Sequence, residues 1–335
     1  MSKLIIPTGY KSRLDLYQTQ TAIGAMKRKF EDKLAAALNL RRVSAPLFVE
    51  PQTGLNDDLG GTERPVEFDI KEIDSRVQIV HSLAKWKRMA LHRYKFPVEQ
   101  GLYTDMNAIR RDDEIDNTHS IYVDQWDWEK IITPQMRNMD YLKQTVTSIV
   151  NAICDTADEM KEINPALDVK LCRDVKFITA QELEDMYPDF NDKQRENAIA
   201  KEYKTVFLMQ IGGALKSGKP HDMRAPDYDD WQLNGDILFW FETLGCAMEI
   251  SSMGIRVDAQ TLDKQLTLAG CDNRRTRDYH QELLAGNLPL TIGGGIGQSR
   301  LSMLMLQKAH ICEVQVSVWD ADTIEGCKKA GIELL

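Results

Sequence analysis

The chain has 335 residues, with 42 Lys and Arg against 51 Asp and Glu, a formal net charge of −9. Apolar residues make up 43 % and charged residues 28 %, the balance of a folded soluble protein rather than a disordered one. The acidic excess argues against a protein whose main work is holding nucleic acid, no apolar run approaches the ~18 residues of a membrane helix, and Met1–Pro7 is too short and polar for a secretion signal. At roughly 150 residues per domain, the length suits two domains or one large α/β domain. Six cysteines stand at 154, 172, 246, 271, 312 and 327, with no CxxC pair. That spacing excludes a zinc ribbon and a thioredoxin-type site, and without a secretion signal they read as reduced thiols.

In chain order, Ile23, Met26, Phe30, Leu34 and Leu38 recur at helical spacing within Thr19–Leu38. Leu40–Phe48 reads as a strand entered or interrupted by Pro46, which suits a sheet edge. Val66–Ile70 alternates as a half-buried strand, and Val77–Val80 is a second. Ser82 looks like the N-cap of a helix carrying Leu83, Trp86 and Ala90. Asn107–Arg110 and Ile121–Trp128 read as two strands around a charged loop. On the second strand Ile121, Val123, Gln125 and Asp127 share a face, because side chains alternate with period two. Thr133-Pro134 predicts the cap of a long helix with Leu142, Val146, Ile149, Ile153 and Met160 on its buried stripe. Thr179–Glu182 is a capping box. Val206–Ile211, Asp236–Phe241 and Cys246–Val257 are strand candidates, and Leu290–Ile292 leads through a glycine run into another helix. Val314, Val316 and Val318 alternate as a last strand. Strands joined without long intervening helices favour a mostly antiparallel sheet flanked by helices.

Five places carry residue types suited to chemistry. Gly293-Gly294-Gly295-Ile296-Gly297-Gln298-Ser299-Arg300 joins a strand to a helix. It is neither a Rossmann fingerprint nor a P-loop. It reads either as a tight turn or as backbone open to a phosphate or planar ligand, with Arg300 placed to pair or stack. Arg110 faces Gln125 and Asp127 if their strands form a hairpin. Asp236 opens a strand, while Glu249 and Ser251 share a face of the next. The two carboxylates are either solvated or ligands for Mg²⁺, a hard cation that prefers oxygen. His81–Arg88 gathers cations at a helix start, and His221–Trp231 is a polar, proline-broken loop of the kind that lines sites. No GxSxG or cysteine setting marks a nucleophile. Positioning and electrostatics, rather than a covalent enzyme intermediate, are the expected means.

These segments assemble into a family resemblance. The first helix with Leu40-xx-Val43-xx-Pro46-Leu-Phe resembles motif 1 of the class II aminoacyl-tRNA synthetases, with Asn39 where that motif usually has glycine. Arg110-Arg-Asp112, its loop and Ile121–Glu129 resemble motif 2, and Gly295-Ile-Gly297-Gln-Ser-Arg300 resembles motif 3. A narrower match spans nearly the whole chain. Segments 81–88, 122–129, 224–231, 233–236, 249–256 and 292–300 closely resemble the ammonia-dependent asparagine synthetases, the aspartate–ammonia ligases.

That resemblance implies an α/β (α+β) class II synthetase-like catalytic fold, with a mostly antiparallel sheet flanked by helices. It implies one catalytic domain over 1–335 without an anticodon-binding domain, working as a cytoplasmic homodimer. The implied reaction turns L-aspartate, ATP and ammonia into L-asparagine, AMP and diphosphate through a β-aspartyl-adenylate. No nucleic acid or membrane partner is implied. Arg110 and Arg300 would hold ATP, with Gly295, Gly297 and Ser252 beside it, and Asp236 and Glu249 would bind Mg²⁺. Ser82, Lys87, Gln125, Arg224 and Ser251 would bind the substrate. Asp57, Asp127 and Asp229 would orient the substrate amine or take a proton from ammonium. The resemblance also places a short loop between Trp231 and Leu233. Glutamine is not the expected nitrogen source, since Ser2 stands where a glutaminase needs cysteine and Cys246 lacks a nucleophile setting. The competing readings are a class II aspartyl- or asparaginyl-tRNA synthetase and a non-catalytic synthetase paralog acting as a binding module.

Overall fold

The computed structural model describes residues 4–72 and 74–335. Met1 to Lys3, part of the opening segment discussed above and including Ser2, lie outside the described residues. Helix α1 (Leu16–Leu38) buries Ile23, Met26, Phe30, Leu34 and Leu38, as the spacing predicts. A capping box of Asp15 and Gln18 opens it a few residues before Thr19. It ends at Asn39, whose φ of 58° is left-handed. Asparagine tolerates that conformation better than other residues with a side chain, so it replaces the motif's glycine at little cost.

The single strand expected over Leu40–Phe48 is two. Strand β1 (Leu40–Arg42) and strand β2 (Phe48–Val49) lie in different sheets, with Pro46 in the break. Strands β3 (Glu67–Ile70) and β4 (Ser75–Ile79) complete a small sheet in the order β2-β4-β3. As its outer strand, β3 exposes Glu67, Phe68 and Asp69 instead of half-burying them. Helix α2 (Ala84–Arg93) follows, then β5 (Gly101–Ile109), β6 (Tyr122–Ile131), α3 (Met139–Ile163), β7 (Lys176–Thr179), α4 (Ala180–Met186) and α5 (Asp192–Tyr203). Next come β8 (Thr205–Met209), β9 (Asp229–Phe241), β10 (Cys246–Arg256), α6 (Ala259–Leu268), α7 (Asp278–Leu284), β11 (Thr291–Gly297), α8 (Gln298–Leu306) and α9 (Ala321–Lys329). Asn138, not Thr133, caps α3, and Pro134 opens a separate short turn. The capping box at Thr179–Glu182 opens α4 as expected.

The large sheet has eight strands in the order β1-β5-β6-β11-β10-β9-β8-β7. Only β1 with β5 and β7 with β8 pair in parallel; the central pairs are antiparallel. Its two faces have different jobs. Trp126 and Trp128 of β6 are fully buried in the main core with α1, α3 and α8 residues, and Phe30 meets Trp126 with ring centroids 4.8 Å apart. Gln125, Asp127 and Glu129 alternate with them, and so project from the opposite face.

Three more expectations are corrected. The glycine run is a central strand, β11, flanked by β6 and β10, rather than a turn. There is no loop between Trp231 and Leu233, because β9 runs through them; Asp236 therefore lies within β9 rather than at its start. The valines at 314, 316 and 318 form no strand, and Val316 and Val318 are solvent-exposed. That segment is held by a side chain instead: Gln315 Nε2 donates to the Tyr122 carbonyl at 3.1 Å and to Ser299 Oγ at 3.0 Å.

Just before it, buried His310 accepts the Cys312 N–H at Nδ1 over 3.0 Å. Burial pushes the His310 pKa down to about 4, against the nearby Asp116 and Asp320 carboxylates. The unfolded chain therefore takes up this proton first. Stability from the neutral ring is complete above pH ~6.5 and is lost as pH falls toward 4. His310→Asn keeps a capping acceptor without a titrating ring. Melting temperature against pH should fall less steeply in the variant between pH 6.5 and 4; parallel curves would refute this assignment.

Candidate active site

A cavity of about 720 Å³ opens over the second face of the large sheet. Strand β6 supplies Gln125 and Asp127, β11 supplies Gly294, Gly295 and Gly297, and β10 supplies Glu249, Ser252 and Arg256. Asp57, Ser82, Lys87, Arg110, Arg224, Asp229 and Arg300 complete the wall. The expected hairpin exists: Arg110 follows β5, and its N–H donates to the Ile121 carbonyl at 2.9 Å.

The floor is built from buried charge. Arg256 donates to Glu129 from Nε and Nη2, the latter at 2.8 Å, and from Nη1 to Asp229. All three side chains are at most 3 % exposed. Burial pushes the Glu129 carboxyl up, but Arg256 reverses this and holds it below its ordinary pKa. For Asp229 burial prevails over Arg256 and the pKa is raised. Beside this triad, Lys87 Nζ donates to Asp127 Oδ1 at 2.7 Å and to the Gly294 carbonyl at 2.8 Å. Its burial lowers the ammonium pKa in spite of Asp127.

These groups explain the glycines. A Cβ at Gly293 would overlap the Glu129 carboxylate, and one at Gly294 would lie 2.5 Å from the Met253 Cβ. At Gly295 it would meet the Gln125 amide oxygen. The three residues have no left-handed φ. Glycine is needed for close approach, not for a turn.

Two expected positions change. A β-bulge between Glu249 and Ser251 shifts the register of β10 against β9. The shift puts Ser252, not Ser251, on the cavity wall with Glu249. Ser251 is 1 % exposed and does not line the cavity. Ser82 does not cap α2, which opens at Ala84 with Leu83 before it and without a side-chain cap. Its hydroxyl donates instead to Asp57 Oδ2 at 2.8 Å, and the Leu59 N–H donates to Asp57 Oδ1 at 2.9 Å.

The edge is lined by three arginines, of which Arg110 and Arg300 have the weaker holds. Arg110 donates from Nε and Nη2 to the His81 carbonyl at 3.3 and 3.2 Å. Arg300 donates to the Glu249 carbonyl at 3.2 Å and lies 3.8 Å from its carboxylate. Arg224 pairs with Asp236 through Oδ2. Asp236 Oδ1 is buried without a hydrogen-bond partner, and burial raises the Asp236 pKa to about 7, with Glu249 adding to the effect against Arg224. An unsatisfied carboxylate oxygen near a second carboxylate fits a hard divalent cation. The loop His221–Tyr228 offers no zinc set: His221 is used in a bond to Glu196 at 3.1 Å.

Arg256 and Glu129 do not stand out in the sequence as site residues. A lone arginine at the end of an apolar strand and a glutamate two residues beyond Asp127, on the same strand face, were the available signals. Asp124 does not stand out either; it accepts from the N–H and hydroxyl of Ser299 at 3.1 and 2.7 Å and thereby fixes the start of α8.

A family profile described as aspartate-ammonia ligase matches residues 17–331. The chain belongs to the aspartate–ammonia ligase family. A protein of Clostridium perfringens named aspartate–ammonia ligase is 58 % identical over 336 residues, covering 100 % of both chains. One of Lactobacillus johnsonii with the same name is 57 % identical over 334 residues, covering 99 % of each. Among solved structures, the chain is similar to Entamoeba histolytica asparaginyl-tRNA synthetase in complex with asparaginyl-adenylate. The TM-score is 0.63 at 15 % identity, over 90 % of this chain and 66 % of that one. Asparaginyl-tRNA synthetase from Pyrococcus horikoshii, complexed with asparaginyl-adenylate, gives 0.61 at 17 % identity, over 88 % and 68 %. This chain thus spans about two thirds of those structures. At such identity the likeness shows the class II synthetase fold, which a ligase of this family shares.

Arg256→Met tests the floor. It leaves Glu129 and Asp229 buried without their cation, a loss of about 3–5 kcal/mol in unfolding free energy. Urea unfolding measures it; a change below about 1 kcal/mol would show that the triad does not hold the floor.

Proposed function

We propose that the cavity joins ammonia to the β-carboxylate of L-aspartate by way of an ATP-derived β-aspartyl-adenylate. One observation carries the reading. A single cavity joins two loosely held arginines, Arg110 and Arg300, to a buried polar patch of Lys87, Gln125 and Asp127. Guanidiniums suit phosphate, and a paired ammonium, amide and carboxylate suit both ends of an amino acid.

A carboxylate resists ammonia because hydroxide or oxide would have to leave. In the first step a β-carboxylate oxygen attacks the α-phosphorus, and the bond to the β-phosphate breaks to release diphosphate. Arg110 and Arg300 stabilise charge that grows on the phosphate oxygens. Asp236 and Glu249 would hold Mg²⁺, which offsets phosphate charge when bound. In the second step the ammonia lone pair forms the C–N bond, AMP leaves with the electrons of the acyl C–O bond, and the nitrogen sheds one proton to solvent to give the neutral amide. Ammonium must first lose a proton, since only neutral ammonia has the lone pair. Among the three candidate carboxylates, Asp229 lines the cavity and burial raises its pKa against the Arg256 guanidinium, which suits proton uptake. Asp127, tied to Lys87, and Asp57, tied to Ser82 and the Leu59 N–H, suit substrate orientation.

The same reading makes the protein a single catalytic domain, active as a cytoplasmic homodimer without nucleic acid. No described helix is long and apolar enough to cross a membrane. The assay supplies aspartate, ATP, Mg²⁺ and ammonium without tRNA. Asparagine and AMP are expected in equal amounts; ADP as product would overturn the adenylate, and turnover only with tRNA would favour a synthetase. Arg300→Ala should lower kcat/KM about 10²–10³-fold with an unchanged melting temperature. Near-normal turnover in that variant would refute its role.

A further inference from the structure

Arg224 sits on the loop before β9 and lines the cavity. Its Nη2 donates to Asp236 Oδ2, and its Nη1 donates to Asp222 Oδ2 at 2.7 Å and to the Met223 carbonyl at 3.0 Å. The side chains of Arg224 and Asp236 are 13 % and 8 % exposed. Asp236 itself does not line the cavity; the arginine does, with the carboxylate behind it. The other carboxylate, Glu249, faces Arg300 at 3.8 Å. Asp236 and Glu249 thus each face a guanidinium, and Arg224 also serves Asp222.

The pairing has a physical cause and a consequence. A buried carboxylate is costly without a nearby cation, so Asp236 needs one even when no metal is present. A guanidinium on Oδ2 and a divalent cation at the neighbouring Oδ1 would crowd two positive charges onto one carboxylate, so they compete for Asp236. Metal ions alone would displace Arg224 from Asp236 and leave it only its bonds to Asp222 and the Met223 carbonyl. A metal–nucleotide complex brings both partners: a cation for the carboxylates and phosphate oxygens for the guanidiniums.

We propose that Arg224 is the resident counter-ion of Asp236 in the nucleotide-free protein, and that it leaves Asp236 for a nucleotide phosphate when a divalent cation takes the carboxylate. The inference rests on the reading of Asp236 as a metal ligand. It makes Arg224 a phosphate-binding residue in the loaded site and a block on metal binding in the empty one. Metal and nucleotide then bind as a unit, since each releases the other's partner.

Mn²⁺ binding, followed by electron paramagnetic resonance on nucleotide-free protein, tests it. Wild type should bind Mn²⁺ weakly at this site, and Arg224→Met at least tenfold more tightly. The double variant Arg224→Met with Asp236→Asn, which carries neither buried charge, should return to the weak wild-type value. Arg300→Met removes a different cation nearby and should change the affinity much less than Arg224→Met. Equal gains in the two arginine variants would mean a general charge effect and would overturn the proposal. No gain in Arg224→Met, with Asp236→Asn still weakening Mn²⁺ in the presence of a non-hydrolysable ATP analogue, overturns the counter-ion role and leaves the metal reading standing. A gain that survives in the double variant overturns the metal reading of Asp236 itself. Near-UV circular dichroism of each variant establishes that the comparison is between folded proteins.

Discussion

Arg256 ends its strand in the middle of the sheet, with Glu129 on one side and Asp229 on the other. The three residues belong to β10, β6 and β9, so one guanidinium ties together strands on both sides of the site. Two carboxylates buried so deeply are tolerable only because this cation lies between them. The pair of Lys87 and Asp127 repeats the arrangement alongside. Strand β11 passes through the same space, and its glycines leave room for the charged side chains. The sheet's centre is therefore a fixed electrostatic floor whose hydrogen-bond directions are set before substrate arrives, which is the condition for electrostatic catalysis.

Above this floor the holds weaken in an ordered way. Lys87 and Arg256 are fully enclosed, whereas Arg110 and Arg300 are held at the edge by carbonyls at 3.2–3.3 Å. The enclosed groups are fixed by buried ion pairs, and the edge arginines Arg110 and Arg300 hydrogen-bond to carbonyls and can change partners. This division follows from their positions. The first set grows from strands and from α2, packed on the sheet, while Arg110 and Arg224 stand on chain just outside strands.

Much of this was legible in the residues. The alternation from Ile121 placed Gln125 and Asp127 together on one face, and the helical spacing in α1 was right to its last residue. Four departures have physical causes. A turn is one of the two readings of the glycine run because glycine usually marks flexible backbone; here it marks crowding from Glu129, Met253 and Gln125, which lie more than 35 residues away in the chain. Glu249 and Ser251 read as one face because strand alternation assumes no bulge, and a single inserted residue exchanges Ser251 for Ser252. The valines at 314–318 alternate like a strand but have no neighbouring ladder to join, so the pattern is satisfied by a side chain, Gln315. Arg256 was hidden because its partners lie on two other strands, and pairing across a sheet is absent from local spacing.

The account's central claim is that the β-carboxylate of aspartate is bonded to the α-phosphorus before ammonia attacks. Aspartate labelled with ¹⁸O in its β-carboxylate measures this directly, with the AMP product read by mass spectrometry. The account predicts that one labelled oxygen from each turnover appears in the phosphate of AMP. Unlabelled AMP, with the label recovered elsewhere, would contradict it.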